Sequence, residues 1–198
     1  MGEIKSSWEI AMERTAGIKS DKSSIRQNEL KKNGQKIASE YMDAETADPV
    51  TITKGLKHYP REERHTVEKA VLEILLSHIT LPRNGEFEEK VQRVMIGLQP
   101  LLDNKRVIQE ISSQLSQFLN QFLQHREQLT EQLKQQYTPQ LRQKQQQLKK
   151  QYGYEVELKH EQDPEFNSLL RKNLQNLESQ YQDALGQMKD QIRNYYGS

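Results

Sequence analysis

Apolar residues recur every three or four positions along most of this 198-residue chain, and the width of the apolar stripe changes from segment to segment. Ile4, Trp8 and Met12 predict a short amphipathic helix from Met1 to about Gly17. Ser20 to about Met42 predicts a weaker helix. Its apolar residues Ile25, Ile37 and Tyr41 are separated by a run containing Lys31, Lys32 and Gly34, so its hold on a core should be loose. Residues 43–60 carry Asp48-Pro49, Gly55 and Pro60 around an alternation of Val50 and Ile52, the pattern of a connector with one short strand. From Arg61 to Leu81 the residues Val67, Ala70, Val71, Ile74, Leu75 and Ile79 form a wide stripe. Pro82-Arg83-Asn84-Gly85 then breaks the chain, and Phe87, Val91, Val94, Met95 and Leu98 form a second stripe before Pro100. Two antiparallel helices joined by a tight turn are expected.

The second half has longer periods. Asp103 to about Gln151 contains one Pro and no Gly, and predicts a single long helix. Val107, Ile108, Ile111, Leu115, Phe118, Leu119, Phe122 and Leu123 cover a broad face; beyond them the stripe narrows to Leu129, Leu133, Tyr137, Leu141, Leu148 and Tyr152. Pairs such as Ile108 and Leu119, or Phe122 and Leu133, recur after 11 residues, which predicts a nearly straight or slightly right-handed rod. Pro139 predicts a kink near Gln135 to Pro139, because it lacks an amide donor and crowds the preceding turn. After Gly153, Tyr154 to Leu158 alternates like a short strand. Asp163-Pro164-Glu165 supplies an N-cap, a Pro at the first helical position and an acidic first turn. A last helix to about Tyr195 follows, with its seam at Phe166, Leu170, Leu174, Leu177, Tyr181, Leu185, Met188, Ile192 and Tyr195. Folded back with equal rise on both arms, residue 165 should meet roughly residue 150, and residue 195 roughly residue 120. The stripe at 107–119 would then project past the hairpin and be covered by the pair at 61–99.

The expected fold is therefore all-α: an N-terminal helical head and a C-terminal long antiparallel hairpin resembling a coiled coil. Its parts are residues 1–60 (N-terminal helices and a loosely packed connector), 61–102 (the helical pair of the head) and 103–198 (the hairpin, with its tip near 150–164).

Composition narrows the function classes. Only 33% of residues are apolar, against roughly 45–50% in an ordinary soluble domain, so one large core is not expected. Gln, at 25 residues, and nearly cancelling charge, 29 basic against 28 acidic, fill the remainder. With no Cys, disulfides, thiolate metal sites and a Cys nucleophile are excluded. No run of about 18 apolar residues could span a bilayer, and residues 1–20 lack the apolar block of a secretory signal. A soluble, cytoplasmic protein is expected, with no membrane partner.

Glu62-x-x-His65 and Glu157-x-x-His160 match the spacing with which di-iron bundles aim two ligands from one helix face. The first falls in an exposed opening turn and the second in a loop, so solvated polar residues are the better reading. His78 and His125 sit beside apolar stripes, where a half-buried, hydrogen-bonded His is expected. No Gly-rich phosphate loop, His-Glu-x-x-His or nucleophile elbow occurs, and no catalytic, cofactor or metal residue is assigned. The pair at 61–99 has the outline of a helix-turn-helix reader. Its second helix opens with Glu86, Glu88 and Glu89, which would repel phosphates.

The strongest anomaly is residues 132–154, where Lys134, Arg142, Lys144, Lys149 and Lys150 stand among nine Gln with no acidic residue. A field of one sign steers anionic partners, so these five are the candidate partner-binding residues. The alternative is a solvated face in which Gln favours helix without adding charge.

Two stretches carry a resemblance: Gly2-Glu3-Ile4-Lys5-Ser6 with Ala11-Met12-Glu13-Arg14-Thr15, and Asp163-Pro164-Glu165-Phe166 with Leu170-Arg171-Lys172-Asn173-Leu174 and Gln180-Tyr181. In these the chain resembles a family of small uncharacterised bacterial helical proteins. The resemblance implies a bacterial, soluble, helical protein without an assigned activity, and transfers no functional residue.

The expected function is a non-enzymatic helical scaffold or adaptor that binds other proteins through its hairpin and head. A homodimer through the exposed side of the hairpin is one form of that interaction. The alternatives are a holdase-like chaperone clamp, and an anion or nucleic-acid binder using the basic tip. Nucleic acid is disfavoured, because Tyr137, Tyr152 and Tyr154 are few rings for base stacking.

Overall fold

The computed structural model describes residues 7–102, 104–155 and 157–197, and the side chains of these from residue 22 onward. Among the described residues there are six α-helices and no strand: α1 (Ser7–Asp43), α2 (Pro49–Lys57), α3 (Arg61–Ser77), α4 (Glu88–Leu98), α5 (Lys105–Tyr152) and α6 (Pro164–Gly197). A 3-10 turn at His160–Gln162 precedes α6. The chain is all-α, as its periodicity predicts. It forms two compact units, Met1–Ile79 with Gln92–Ile108, and Thr80–Val91 with Gln109–Ser198.

In the first unit the two expected N-terminal helices are one. α1 runs unbroken from Ser7 through Gly17 to Asp43. An interior Gly costs only about 0.5–1 kcal/mol, too little to stop a helix that continues on both sides. The predicted stripe of Ile4, Trp8 and Met12 lies outside the described residues and side chains. The hold of residues 20–42 on the core is also tighter than expected. Leu30, Ala38 and Tyr41 are buried. A Cβ on Gly34 would overlap the Val67 carbonyl oxygen and come within 2.7 Å of Ala70 Cβ. Gly34 therefore marks where the backbones of α1 and α3 touch, which the Lys-rich pattern around it conceals. Arg26 extends the contact, with its guanidinium 2.7 and 2.8 Å from the Glu63 carboxylate. Arg93 closes the C-terminus of α1 by donating to the carbonyls of Ala44 at 2.6 Å, Glu45 at 3.2 Å and Met42 at 3.3 Å. Such carbonyls lack partners within the helix, and a cation there also matches the negative end of the dipole.

The connector expected to hold a strand at Val50 and Ile52 is helical instead. Asp48 caps α2 by accepting from the Val50 amide at 2.9 Å, and Pro49 fills the first helical position. Ile52 and Leu56, four residues apart, supply the buried face, and Val50 stays exposed. The helical spacing of 52 and 56 outweighs the two-residue alternation of 50 and 52.

The second unit contains the antiparallel pair of α5 and α6, in a register the sequence did not predict. Phe166, expected near residue 149, packs on Tyr137 with ring centroids 5.4 Å apart. Tyr181 lies 5.1 Å from both Phe118 and Phe122. The shift is about a dozen residues, or roughly 18 Å of helical rise. Equal arms would make the connector a tip, whereas its described residues, 153–155 and 157–163, turn back along α5. Gly153 begins that return: its φ of 78° is the left-handed conformation typical of a residue just past a helix, and its amide donates to the Lys149 carbonyl at 2.9 Å. Among the described residues of the stretch 154–158 the expected strand does not form, because they lie against a helix whose amides are already used. Two seam residues are corrected with the register. Tyr152 lies beyond the start of α6 and is 54% exposed, and Tyr195 is 52% exposed. Phe118, expected to project past the hairpin, lies within it.

Candidate functional site

The expected partner-binding cations lie on α5 where the return segment crosses it. The sequence separates the two, since residues 132–154 hold the cations and the next 11 residues hold Glu155, Glu157, Glu161, Asp163 and Glu165. The fold brings them together. Lys134 Nζ is 2.7 Å from Glu161 Oε1, and Lys149 Nζ is 2.6 Å from Glu155 Oε1. Lys144 Nζ meets Asp163 at 2.8 and 3.0 Å, Glu165 at 2.8 Å and the Tyr137 hydroxyl at 2.9 Å. Arg142 and Lys150 meet no carboxylate among the described residues. Of the five candidates, three are therefore engaged within the chain.

The centre of this network is Asp163. It is 1% exposed and caps α6 through the Glu165 amide, which donates to its Oδ1 at 3.0 Å. Tyr137 donates its hydroxyl to Asp163 Oδ2 at 3.0 Å. Burial pushes the Asp163 carboxyl up, but the bonds from Lys144, the Glu165 amide and Tyr137 outweigh it and hold the group below its usual range. Bonds to Asp163 first, then to the Glu165 carboxylate and the Tyr137 hydroxyl, hold the Lys144 ammonium above its usual range. Burial raises the Tyr137 phenol. At the flanks, the bond from Lys149 lowers Glu155, and the bond from Lys134 lowers Glu161. Lys134, raised by its bond to Glu161, and Lys144 thus stay charged at neutral pH.

Beneath the network an apolar cluster anchors the crossing, formed by Leu133, Tyr137, Leu141 and Phe166 with Leu129, Leu158 and Leu170 packed against it. His160, half of the second Glu-x-x-His pair, belongs to this anchor. Its ring lies edge-on to Phe166 at 5.2 Å, and its Nε2 is 3.0 Å from the Lys134 carbonyl and 3.1 Å from Thr138 Oγ1. A carbonyl can only accept, and Thr138 gives its own hydrogen to the same carbonyl at 2.8 Å, so Nε2 carries a proton. The contact falls one turn before Pro139, through which α5 runs without interruption.

Between the return segment and α5 an open recess of about 610 Å³ is lined by Arg142, Gln145, Gln146, Lys149, Glu155 and Glu157. A larger groove of about 930 Å³ runs beside Arg83, Arg126, Glu131 and Lys134. Both are wide and open to solvent. Among the described residues no group of three or more His, Asp or Glu is placed to hold a metal ion. Glu62 and His65 are exposed in the first turn of α3, and Glu157 and His160 are not directed to one point by a helix. His78 ends α3, with its amide donating to Leu75 and Leu76. His125 is exposed and not half-buried, yet it is bonded as expected, with its Nδ1 2.6 Å from the Tyr181 hydroxyl.

The sequence reading missed Asp163 as the centre of the site, assigning it only a capping role. The available signal was the run of cations without acids followed at once by a run of acids. No described helix is long and apolar enough to cross a membrane. No curated protein and no solved structure matches the chain. A family of unknown function, DUF6657, matches residues 53–194, well over half of the chain, and the chain belongs to that family.

Proposed function

We propose that this chain is a non-enzymatic helical adaptor that holds another protein against its α5–α6 hairpin, in a bacterial cytosol. The observation that carries this reading is the incomplete cover of the hairpin's middle. Between Phe122 and Leu133 no α5 side chain is buried, and Leu129, Leu174 and Leu177 are only half-buried. Two helices can bury only the stripes that face each other, so the flanks of these leucines stay open to a third element. The ends of this stretch are fixed by the Tyr137–Phe166 and Phe122–Tyr181 ring contacts, so the open part is held in shape. The grooves are wide and open and do not enclose a small molecule, which fits a holding role better than a role in chemistry. Photo-cross-linking tests the reading: a benzophenone at Leu177 should capture a defined protein in the native cytosol, and one at Asn176, on the solvent side, should not. Equal capture from both positions, or none from either, would end it.

A further inference from the structure

The return segment and the helix face beneath it form an intramolecular complex whose fastenings are unequal. At Asp163 the carboxylate is buried and bonded on both oxygens. At the outer end the Lys149–Glu155 pair has side chains 57% and 82% exposed, so water screens it. Glu157 meets no cation among the described residues, and Arg142 lines the recess with Glu155 and Glu157 but pairs with neither. Besides that one screened pair, the outer half is held by Gln145, which donates its side-chain amide to the Leu158 carbonyl at 3.0 Å, and by half-burial of Leu158. It is thus the part that can lift while the Asp163 end stays fastened.

We infer that the face of α5 around Arg142, Gln145 and Lys149 is a docking surface for an extended acidic segment of another protein, for which Glu155 and Glu157 compete in cis. This rests on the adaptor reading and names the chemistry of the partner. The chain itself displays the recognition: a lysine takes a carboxylate, a glutamine amide takes a backbone carbonyl, and a leucine seats in an apolar cluster. Backbone hydrogen bonding and alternate side chains are the means by which extended peptides are bound elsewhere. A nucleic acid suits the face less well. The acids of the return segment oppose phosphate, and the exposed rings beside it are only Tyr152 and Tyr154 among the described residues.

The test uses the full chain and a fluorescently labelled synthetic peptide carrying the sequence Glu-Val-Glu-Leu within a Glu-rich strand, read by anisotropy at low salt. Glu155→Gln with Glu157→Gln removes the cis competitor. If that competitor occupies the face about nine-tenths of the time, the peptide should bind roughly tenfold more tightly. Arg142→Gln with Lys149→Gln should lose binding by about the same factor or more, and added salt should weaken binding in every case. In the Glu155→Gln, Glu157→Gln chain, amide exchange should speed up at residues 154–158 and stay unchanged in α6, which shows the release directly. Equal affinity of wild type and both double variants overturns the inference, as does no binding by any of them. Displacement of the peptide by poly-uridine at lower concentration than by poly-glutamate also overturns it. A peptide that fails to bind while the Leu177 cross-link still forms removes this inference alone.

Discussion

Replacing Asp163 by Asn and by Ala separates the two tasks of this residue. Asn keeps a side-chain oxygen able to cap α6, since Asn is among the best capping residues, but removes the charge. The lost interactions are charge-assisted bonds in a buried setting, 2.8 and 3.0 Å to Lys144 with the Tyr137 hydroxyl at 3.0 Å, for which about 1.5–3 kcal/mol is expected. Ala also deletes the cap at the Glu165 amide, adding about 1 kcal/mol. The total for Ala, about 2.5–4 kcal/mol, overlaps the roughly 3–5 kcal/mol for breaking one side of a buried ion pair. Urea melts followed by far-ultraviolet circular dichroism measure both losses, and amide exchange in the first turns of α6 assigns them to the crossing. The Asn loss should also depend on pH. A carboxyl held below its ordinary value of 3.8 contributes stability fully above that value and loses it as pH falls through the depressed one. The gap between wild type and Asp163→Asn should therefore be constant at neutral pH and close on acidification below about pH 4. An Asn variant as stable as wild type at neutral pH, or a gap that persists in acid, would refute the account of Asp163 as a charged fastening.

The remaining expectations bear on other elements. Gly34→Ala should destabilise the first unit by about 1–3 kcal/mol despite the better helix propensity of Ala, because the new methyl meets the Val67 backbone, and thermal melting checks this. Burial pushes the Tyr41 phenol up to about 12, so in alkaline spectrophotometric titration it should ionise last. A raised value contributes stability fully below the unfolded value near 10 and loses it as pH rises through the folded one, so the Tyr41→Phe variant should unfold less steeply above about pH 10. Charge reversal should split the five cations of α5: Arg142→Glu with Lys150→Glu should leave the melting temperature nearly unchanged, and Lys144→Glu should lower it clearly by repelling Asp163 and Glu165.

What could be read from the sequence was what depends on neighbours within a few residues. The helix of residues 105–152, the break at Pro82–Gly85 and the cap at Asp163 follow from local spacing and local chemistry. The single helix at 7–43 reads as two because Gly17 looks like a stop, and its hold on the core looks loose because of the lysines around Gly34; only the approach of α3 explains what Gly34 is for. The hairpin register was hidden for a related reason. Periodicity fixes which face of a helix is apolar, but it cannot fix how far a partner slides along that face. Here the slide is set by Asp163, Lys144 and Tyr137, groups up to 26 residues apart. The candidate cations stand out by their unusual composition, whereas their intramolecular partners do not, because charge along the chain does not show which charges meet across the fold.

The returning segment also sets an order of assembly. The Tyr137–Asp163 contact closes a loop of 26 residues, whereas Phe118 and Tyr181 are 63 apart in the chain. Closing the shorter loop costs less entropy, and once it is closed each further turn of α6 meets α5 across a gap that is already nearly zero. Growth of the hairpin then resembles a zipper started from the Asp163 end and travelling toward Tyr181. Substitutions at Tyr137 or Phe166 should slow refolding, while those near Tyr181 should chiefly hasten unfolding.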